Sequence, residues 1–360
     1  MDLTAVVLAG GFGTRLRPLT LEMPKPMLPV VNRPFLEHLV ARLRSHGVRR
    51  IVMALGYLPD HIISYFGDGS AFGVRMEYRV EPKALGTAGA VKFALGSAQE
   101  TFLVLNGDIL MDLDITALLA RHRQTGATAT LALHRVDNPS RYGVVPTDDA
   151  GRVLRFIEKP PGPDFPSYFI NSGCYALEGA VLERIPEGEF QMFEHHLFPG
   201  LLAEGLPVYS HMWSGYFMDM GTPASYLALH RDLLTGVVTS PLVERDGVIA
   251  GEGCVIDPEA VLEGPIVMGE ECEVQSGARI RGPVTLGPGC SIGQGAEVDG
   301  SVLWGSVMIG RDARVREAVL GTDVRIGDGA VVEAGTVLGS GTTVESQQRL
   351  PPATILPKTG

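Results

Sequence analysis

From Ile256 a branched or long apolar residue stands at every sixth position: Ile256, Leu262, Met268, Val274, Ile280, Leu286, Ile292 and Val298. Four places after each comes a small or β-branched residue or a cysteine: Ala260, Ile266, Cys272, Ala278, Val284, Cys290, Ala296 and Val302. The register then slips, resumes at Ile309 and Val315, and resumes again at Ile326, Val332, Leu338 and Val344. Neither the helix period nor strict strand alternation gives this spacing. A six-residue repeat is the pattern of a parallel β-helix, each hexad forming one side of a coil. A lone coil cannot cover its own apolar side, so the repeat commits residues 250–345 to a stacked array.

Cys254, Cys272 and Cys290 are spaced by three hexads, which places the thiols in one corner of successive coils. The spacing lacks the paired knuckles of a zinc site, so they read as small hydrophobes of the interior, and Cys174 as a packed thiol elsewhere. Hexapeptide acyltransferases use a histidine as general base. All nine histidines here lie at or before His230, so the repeats are expected to serve packing and homo-oligomer assembly.

The first half alternates differently. Thr4–Ala9, residues 50–54, 74–78, 101–105 and 127–134 read as strands; residues 35–46, 88–95 and 114–124 read as helices. That β-α-β order predicts an open, mostly parallel sheet with helices on both faces, and ligands beyond the carboxyl ends of its strands. Domains are expected at 1–232 and 250–345, with a linker at 233–249 and an irregular, proline-containing tail at 346–360. Net charge is −11, from 30 basic and 41 acidic side chains, which opposes nucleic-acid binding. No apolar run spans a bilayer, and an acidic residue stands where a signal peptide needs basic ones. No membrane partner and a cytoplasmic address are expected.

The first strand runs into Gly10-Gly11-Phe12-Gly13-Thr14-Arg15. Glycines there let the backbone approach an anion closely, and the Arg15 fork suits phosphate oxygens. No Gly-Lys-Ser/Thr follows, and the dinucleotide fingerprint fails at Leu16, so neither phosphate motif fits. Lys25 lies between Pro24 and Pro26, a rigid frame that presents it in a defined direction.

The run from Leu8 to Thr20 followed by Pro24-Lys25-Pro26 resembles the signature of sugar-1-phosphate nucleotidylyltransferases. The resemblance extends through Leu85-Gly86-Thr87-Ala88-Gly89, Asn106-Gly107-Asp108, Tyr142-Gly143-Val144, Glu158-Lys159-Pro160, Ile170-Asn171-Ser172-Gly173 and the run Tyr216–Gly221. It covers almost the whole chain and is strongest to the mannose-1-phosphate guanylyltransferase branch. It implies a Rossmann-like nucleotidyltransferase domain followed by a left-handed parallel β-helix; the hand is the family's and not a product of the periodicity.

The implied reaction joins GTP to mannose 1-phosphate by in-line attack on the α-phosphate, giving GDP-mannose and pyrophosphate. By resemblance, Arg15, Lys25 and Lys159 are the catalytic cations. Leu8, Ala9, Gly10, Gly11, Gly13, Thr14, Glu81, Leu85, Gly86 and Thr87 bind the nucleotide. Gly143, Glu158 and Asn171 bind the sugar, and Asp108 and Asp219 hold Mg²⁺. Glu81 could accept hydrogen bonds from guanine, as could the backbone of 85–89. His195 and His196 replace a Glu-rich pattern expected near the sugar, leaving glucose 1-phosphate with UTP or dTTP, or a heptose phosphate with GTP, as alternatives. A non-catalytic nucleotide-sugar sensor is the reading from another class.

Overall fold

The computed structural model describes residues 3–159 and 165–357. The chain divides into two compact units: Met1–Gly11 with Leu39–Phe217, and Phe12–His38 with Met218–Gly360. The glycine loop after Gly11 and the lysine segment thus fall in the same compact unit as the β-helix.

The first unit is built on a mixed sheet. Strands β1 (Thr4–Ala9), β2 (Arg50–Leu55), β3 (Arg75–Val80) and β4 (Phe102–Asn106) are parallel, in the order β4-β1-β2-β3. Ala5, Val6 and Val7 of β1 are fully buried, as a central parallel strand covered on both faces requires. Of the helices α1 (Phe35–Ser45), α2 (Pro59–Phe66), α3 (Gly86–Leu95) and α4 (Ile115–Thr125), all but α2 follow the alternation read from the sequence. Asp114 caps α4 by accepting from the N–H groups of Thr116 and Ala117 at 2.9 and 3.1 Å. Beyond β4 the direction changes. Strand β6 (Phe169–Leu177) runs antiparallel to both β4 and β5 (Ala129–Arg135), and after the short helix α5 (Phe198–Ala203) strand β7 (Val208–Trp213) lies parallel to β5. A short ladder pairs Gly143 with Glu158 and Val144 with Ile157 beside β6.

In the second unit, 19 short strands from Val248 to Leu356 form three parallel sheets of seven, six and six strands. Ile280, Leu286 and Ile292 are fully buried inside the coils. Coil spacing is 18 residues where Ile266 pairs with Val284, but 17 where Thr285 pairs with Val302 and Val302 with Val319. The slip in the repeat is therefore two five-residue steps, Val298 to Leu303 and Val315 to Leu320, and the stack continues unbroken. Glycine follows an anchor where coils touch: a Cβ on Gly287 would lie 2.6 Å from the backbone nitrogen of Gly305 in the next coil. The cysteine reading holds. Cys272 and Cys290 are buried, and the three thiols donate to the carbonyls of Gly269, Gly287 and Trp304 at 3.0–3.1 Å.

Two boundaries need correction. The coil persists past residue 346: Leu338 pairs with Leu356, and Leu350 is buried at the next hexad position, so 346–357 form a further coil instead of an irregular tail. Pro351 and Pro352 stand between strands, where no ladder N–H is needed. The segment expected as a linker is shorter, because helix α6 (Pro223–Leu234) continues to Leu234 and the first coil begins at Val248. Residues 358–360 lie outside the described residues.

Candidate active site

In the first unit the predicted residues gather at the carboxyl ends of β1, β3 and β4. Leu8 accepts the Gly107 N–H at 2.8 Å, drawing the ends of β1 and β4 together, and Asp108 occupies the turn just beyond, half-buried. Ala9 is buried, and Gly10 follows it against Gly56; a Cβ on Gly56 would lie 2.8 Å from the Gly10 carbonyl. A Cβ on Gly11 would meet nothing within 4 Å, so that glycine borders open space. The Glu81 carboxylate lies beside Gly10 and accepts the Leu85 N–H at 2.9 Å. Burial pushes its carboxyl up from the ordinary value, and the Leu85 hydrogen bond opposes that shift.

The loop that opens α3 is held largely by its own chain. Gln191 O accepts the Ala88 and Gly89 N–H groups, and Gln191 N donates to Leu85 O. Gly86 has φ +72° with Gln191 O 2.5 Å from where its Cβ would stand, so a side chain is excluded there. Thr87 Oγ1 accepts from Phe193 N at 3.0 Å and donates to Glu194 at 3.4 Å. The Leu85, Ala88 and Gly89 N–H groups are thus engaged within the chain.

Further along this unit, Glu158 faces Gly143 across the short ladder, its Oε2 2.9 Å from a Cβ placed on that glycine. Lys159 has φ +44°, a strained value for a side-chain-bearing residue, and its exposed ammonium pairs with Glu158 at 3.3 Å. Pro160 of that motif lies outside the described residues. Asn171 sits where the β5–β6 register shifts; it donates to Tyr175 OH at 2.6 Å and accepts from Gly173 N at 3.0 Å.

Glu194 was not singled out from the sequence, where the adjacent His195-His196 pair drew the attention. It lies on the turn Phe193–Leu197, with its carboxylate 3.4 Å from Asn171 Nδ2 and 3.5 Å from Tyr175 OH. Burial, and then the Glu158 charge, push its carboxyl up. His195 and His196 are exposed, and His196 Nδ1 accepts the Met192 N–H. Among the described residues no group of three or more His, Cys, Asp or Glu is placed to hold a metal.

The second unit holds the remaining set. Gly13 has φ +60°, and a Cβ there would press on Lys25 Cβ at 3.0 Å and Thr20 Cγ2 at 3.1 Å, so glycine is required. Thr20 Oγ1 donates to Gly13 O at 2.9 Å, fixing the turn from which exposed Thr14 and Arg15 project. Lys25 opens the single turn Lys25–Met27 after extended Pro24 and is buried. Its ammonium lies 3.3 Å from Asp219 Oδ1, while Arg15 Nη2 lies 3.6 Å from Asp219 Oδ2. One carboxylate thus aligns a buried and an exposed cation, which together can neutralise a polyphosphate. Gly221 keeps this arrangement open: a Cβ there would stand 2.6 Å from the Arg15 guanidinium.

Residues 4–236 match the nucleotidyl transferase family, and residues 245–350 match the EIF2B subunit epsilon LbH domain. The mannose-1-phosphate guanylyltransferase of Mycobacterium tuberculosis is 42% identical over 72% of this chain and 73% of its own length. A probable mannose-1-phosphate guanylyltransferase 3 of Oryza sativa is 34% identical over 93% of this chain and 95% of its own. A UTP–glucose-1-phosphate uridylyltransferase of Synechocystis is 38% identical over 73% and 72%. Among solved structures, HddC from Yersinia pseudotuberculosis in complex with GMP-PN is 30% identical, with a TM-score of 0.55, covering 63% of this chain and 98% of that one.

Proposed function

Because this chain belongs to the nucleotidyl transferase family, we propose that it transfers a guanylyl group from GTP to mannose 1-phosphate. A phosphate oxygen of the sugar attacks the α-phosphorus in line. The new P–O bond forms as the bond from that phosphorus to the α,β-bridging oxygen breaks, and pyrophosphate leaves with the electron pair. The observation that carries the reading is the Asp219 carboxylate set between Lys25 and Arg15. Preorganised cations of this kind stabilise charge as it moves onto the departing phosphates. Lys25 reaches the reacting phosphates, Arg15 steadies the leaving ones, and Lys159 orients the sugar phosphate. Gly10, Gly11 and Gly13 let the backbone lie close to the nucleotide. The Glu81 carboxylate accepts from the base edge of guanine, and Glu158 and Asn171 take sugar hydroxyls.

Asp108 and Asp219 are each proposed as a carboxylate for Mg²⁺. Both supply hard oxygen donors, and Asp219 keeps about a quarter of its side chain exposed, so the donor chemistry fits that ion. When bound, the cation would neutralise phosphate charge. Self-association through the β-helix is likewise proposed, supported by the exposed apolar Val255, Ile256 and Val261 of the first coil; light scattering showing a strict monomer at all concentrations would oppose it.

A grid of nucleotides against sugar phosphates, read by pyrophosphate release, tests the substrate assignment. GTP with mannose 1-phosphate is expected to exceed every other pair by about tenfold or more. The Synechocystis relative motivates the second reading, UTP with glucose 1-phosphate. Preference for that pair would overturn the base and sugar while leaving the transfer chemistry in place.

A further inference from the structure

Four residues after Lys25, the chain makes a two-residue hairpin, Pro29–Val30 pairing with Arg33–Pro34. Both turn residues are left-handed: Val31 has φ 47° and Asn32 φ 60°. A β-branched residue there is strained, and such a conformation persists only where its surroundings over-determine it. The surroundings do so. Asn32 Nδ2 donates to Leu286 O of the β-helix at 2.8 Å. His230 of α6 donates from Nε2 to Pro29 O at 3.1 Å. Its Nδ1 is therefore the acceptor, taking the Val31 N–H at 3.4 Å and the Thr285 hydroxyl of the β-helix at 3.1 Å. Trp304 Nε1 donates to Tyr226 OH at 3.0 Å, and that hydroxyl donates in turn to Pro29 O. His38 donates to Val30 O at 3.0 Å.

Two relays, Thr285–His230 and Trp304–Tyr226, thus start on one face of the β-helix and converge on a single carbonyl. Tyr226, His230, Thr285 and Trp304 are all at most 4% exposed. The same helix α6 begins four residues after Asp219, behind the capping box of Thr222 and Ser225. Both halves of the Lys25–Asp219 pair are therefore carried on segments tied to the coils.

We propose that this β-helix face positions the phosphate-binding lysine: Thr285, the Leu286 carbonyl and Trp304 act through the hairpin and α6 to hold Lys25 against Asp219. The proposal rests on the role given to Lys25 above. It makes Asn32, Thr285 and Trp304 positioning residues, and it gives the repeat domain a task in the chemistry that its lack of histidine had seemed to deny it.

The test uses the full chain with Thr285→Val, Asn32→Gly and Trp304→Phe, singly and combined, and the nucleotide pair that the grid identifies. A lysine displaced by a fraction of an ångström to 1 Å can cost up to about 10²-fold in rate. Each single variant is expected to lose about three- to tenfold in kcat and the combination about 50-fold. KM for both substrates should stay within about threefold, and cooperative melting should be retained; Thr285→Ser should recover kcat to within about twofold. Arg316→Ala, on another face of the β-helix, should leave kcat unchanged. A combined variant that melts cooperatively with kcat within twofold of the parent overturns the proposal, as does a loss appearing in KM alone. If the combination does not fold, Thr285→Val against Thr285→Ser decides by the same criteria. Lys25→Ala separates the two claims: near-normal turnover there removes the role of the lysine itself, whereas an inactive Lys25→Ala beside a fully active combined variant removes only the positioning claim.

Discussion

Inside the β-helix every anchor has counterparts in neighbouring coils: Ile292 lies in register with Val274 on one side and Ile309 on the other. In the hairpin after Lys25 the contacts do not repeat along the chain: Asn32 reaches the Leu286 carbonyl, and His230 and Tyr226 meet on the Pro29 carbonyl. Repetition secures the coil through summed burial, so its stability tolerates local irregularity, including two five-residue steps. The hairpin instead fixes one backbone conformation through a few directed hydrogen bonds. Substitutions in the two regions should therefore divide cleanly between loss of stability and loss of rate.

The largest separation is expected at the lysine. Lys25→Ala should lower kcat by about 10³-fold, the scale set by removing one preorganised donor to a developing charge, while thermal melting remains cooperative. A kcat within tenfold of the parent would break the comparison on the catalytic side. On the structural side, Leu303→Ala in the coil interior should destabilise by roughly 2–5 kcal/mol. Its kcat per folded molecule should be unchanged, measured by denaturant titration beside an active-site count. A parallel fall in kcat would show that the coil interior and the lysine are not separable.

Acid sharpens the contrast. Burial, opposed by the Pro29 hydrogen bond, lowers His230 to about 3, and burial also lowers His38. Between that value and the unfolded value of about 6.5 the unfolded chain binds a proton that the folded chain does not. The stability contributed by keeping His230 neutral is present above pH 6.5 and is lost progressively as pH falls towards 3. The slope is at most about 1.4 kcal/mol per pH unit for this group. His230→Gln should flatten that slope in melts from pH 7 to pH 4; an unchanged slope would mean that the ring is not the titrating group. The smallest effect is expected on the charged face, where Glu263, Arg281, Asp299 and Arg316 alternate along the register. Arg316 pairs with Asp299 at 3.7 Å while half-exposed, so Arg316→Ala should cost less than about 1 kcal/mol.

Periodic order was legible where the physics is local. The hexad anchors announced the coils because each coil solves the same packing problem, and Thr4–Ala9 announced a central strand by being apolar on both faces. The five-residue steps into Leu303 and Leu320 looked like breaks, since a residue omitted at a corner leaves the interior intact but shifts the count. Strand direction in the sheet was less legible: the antiparallel insertion of Phe169–Leu177 is set by long-range pairing that alternation does not encode. The chemistry followed the same division. Gly13, Arg15 and Lys25 stood out because glycine and proline mark backbone geometry. Glu194 did not, because its significance lies in side chains from two other segments, Thr87 on one and Asn171 and Tyr175 on the other, that surround it. Nor could His230 disclose Thr285, 55 residues away in the chain.

Transfer of label from the α-phosphate of GTP tests the central claim most directly. With mannose 1-phosphate and Mg²⁺, the parent should move the α-label quantitatively into a sugar-linked product and release unlabelled pyrophosphate, and Lys25→Ala should move almost none. Label that stays in GTP or appears only as free GMP, or a Lys25→Ala variant that transfers it as fast as the parent, would contradict the account.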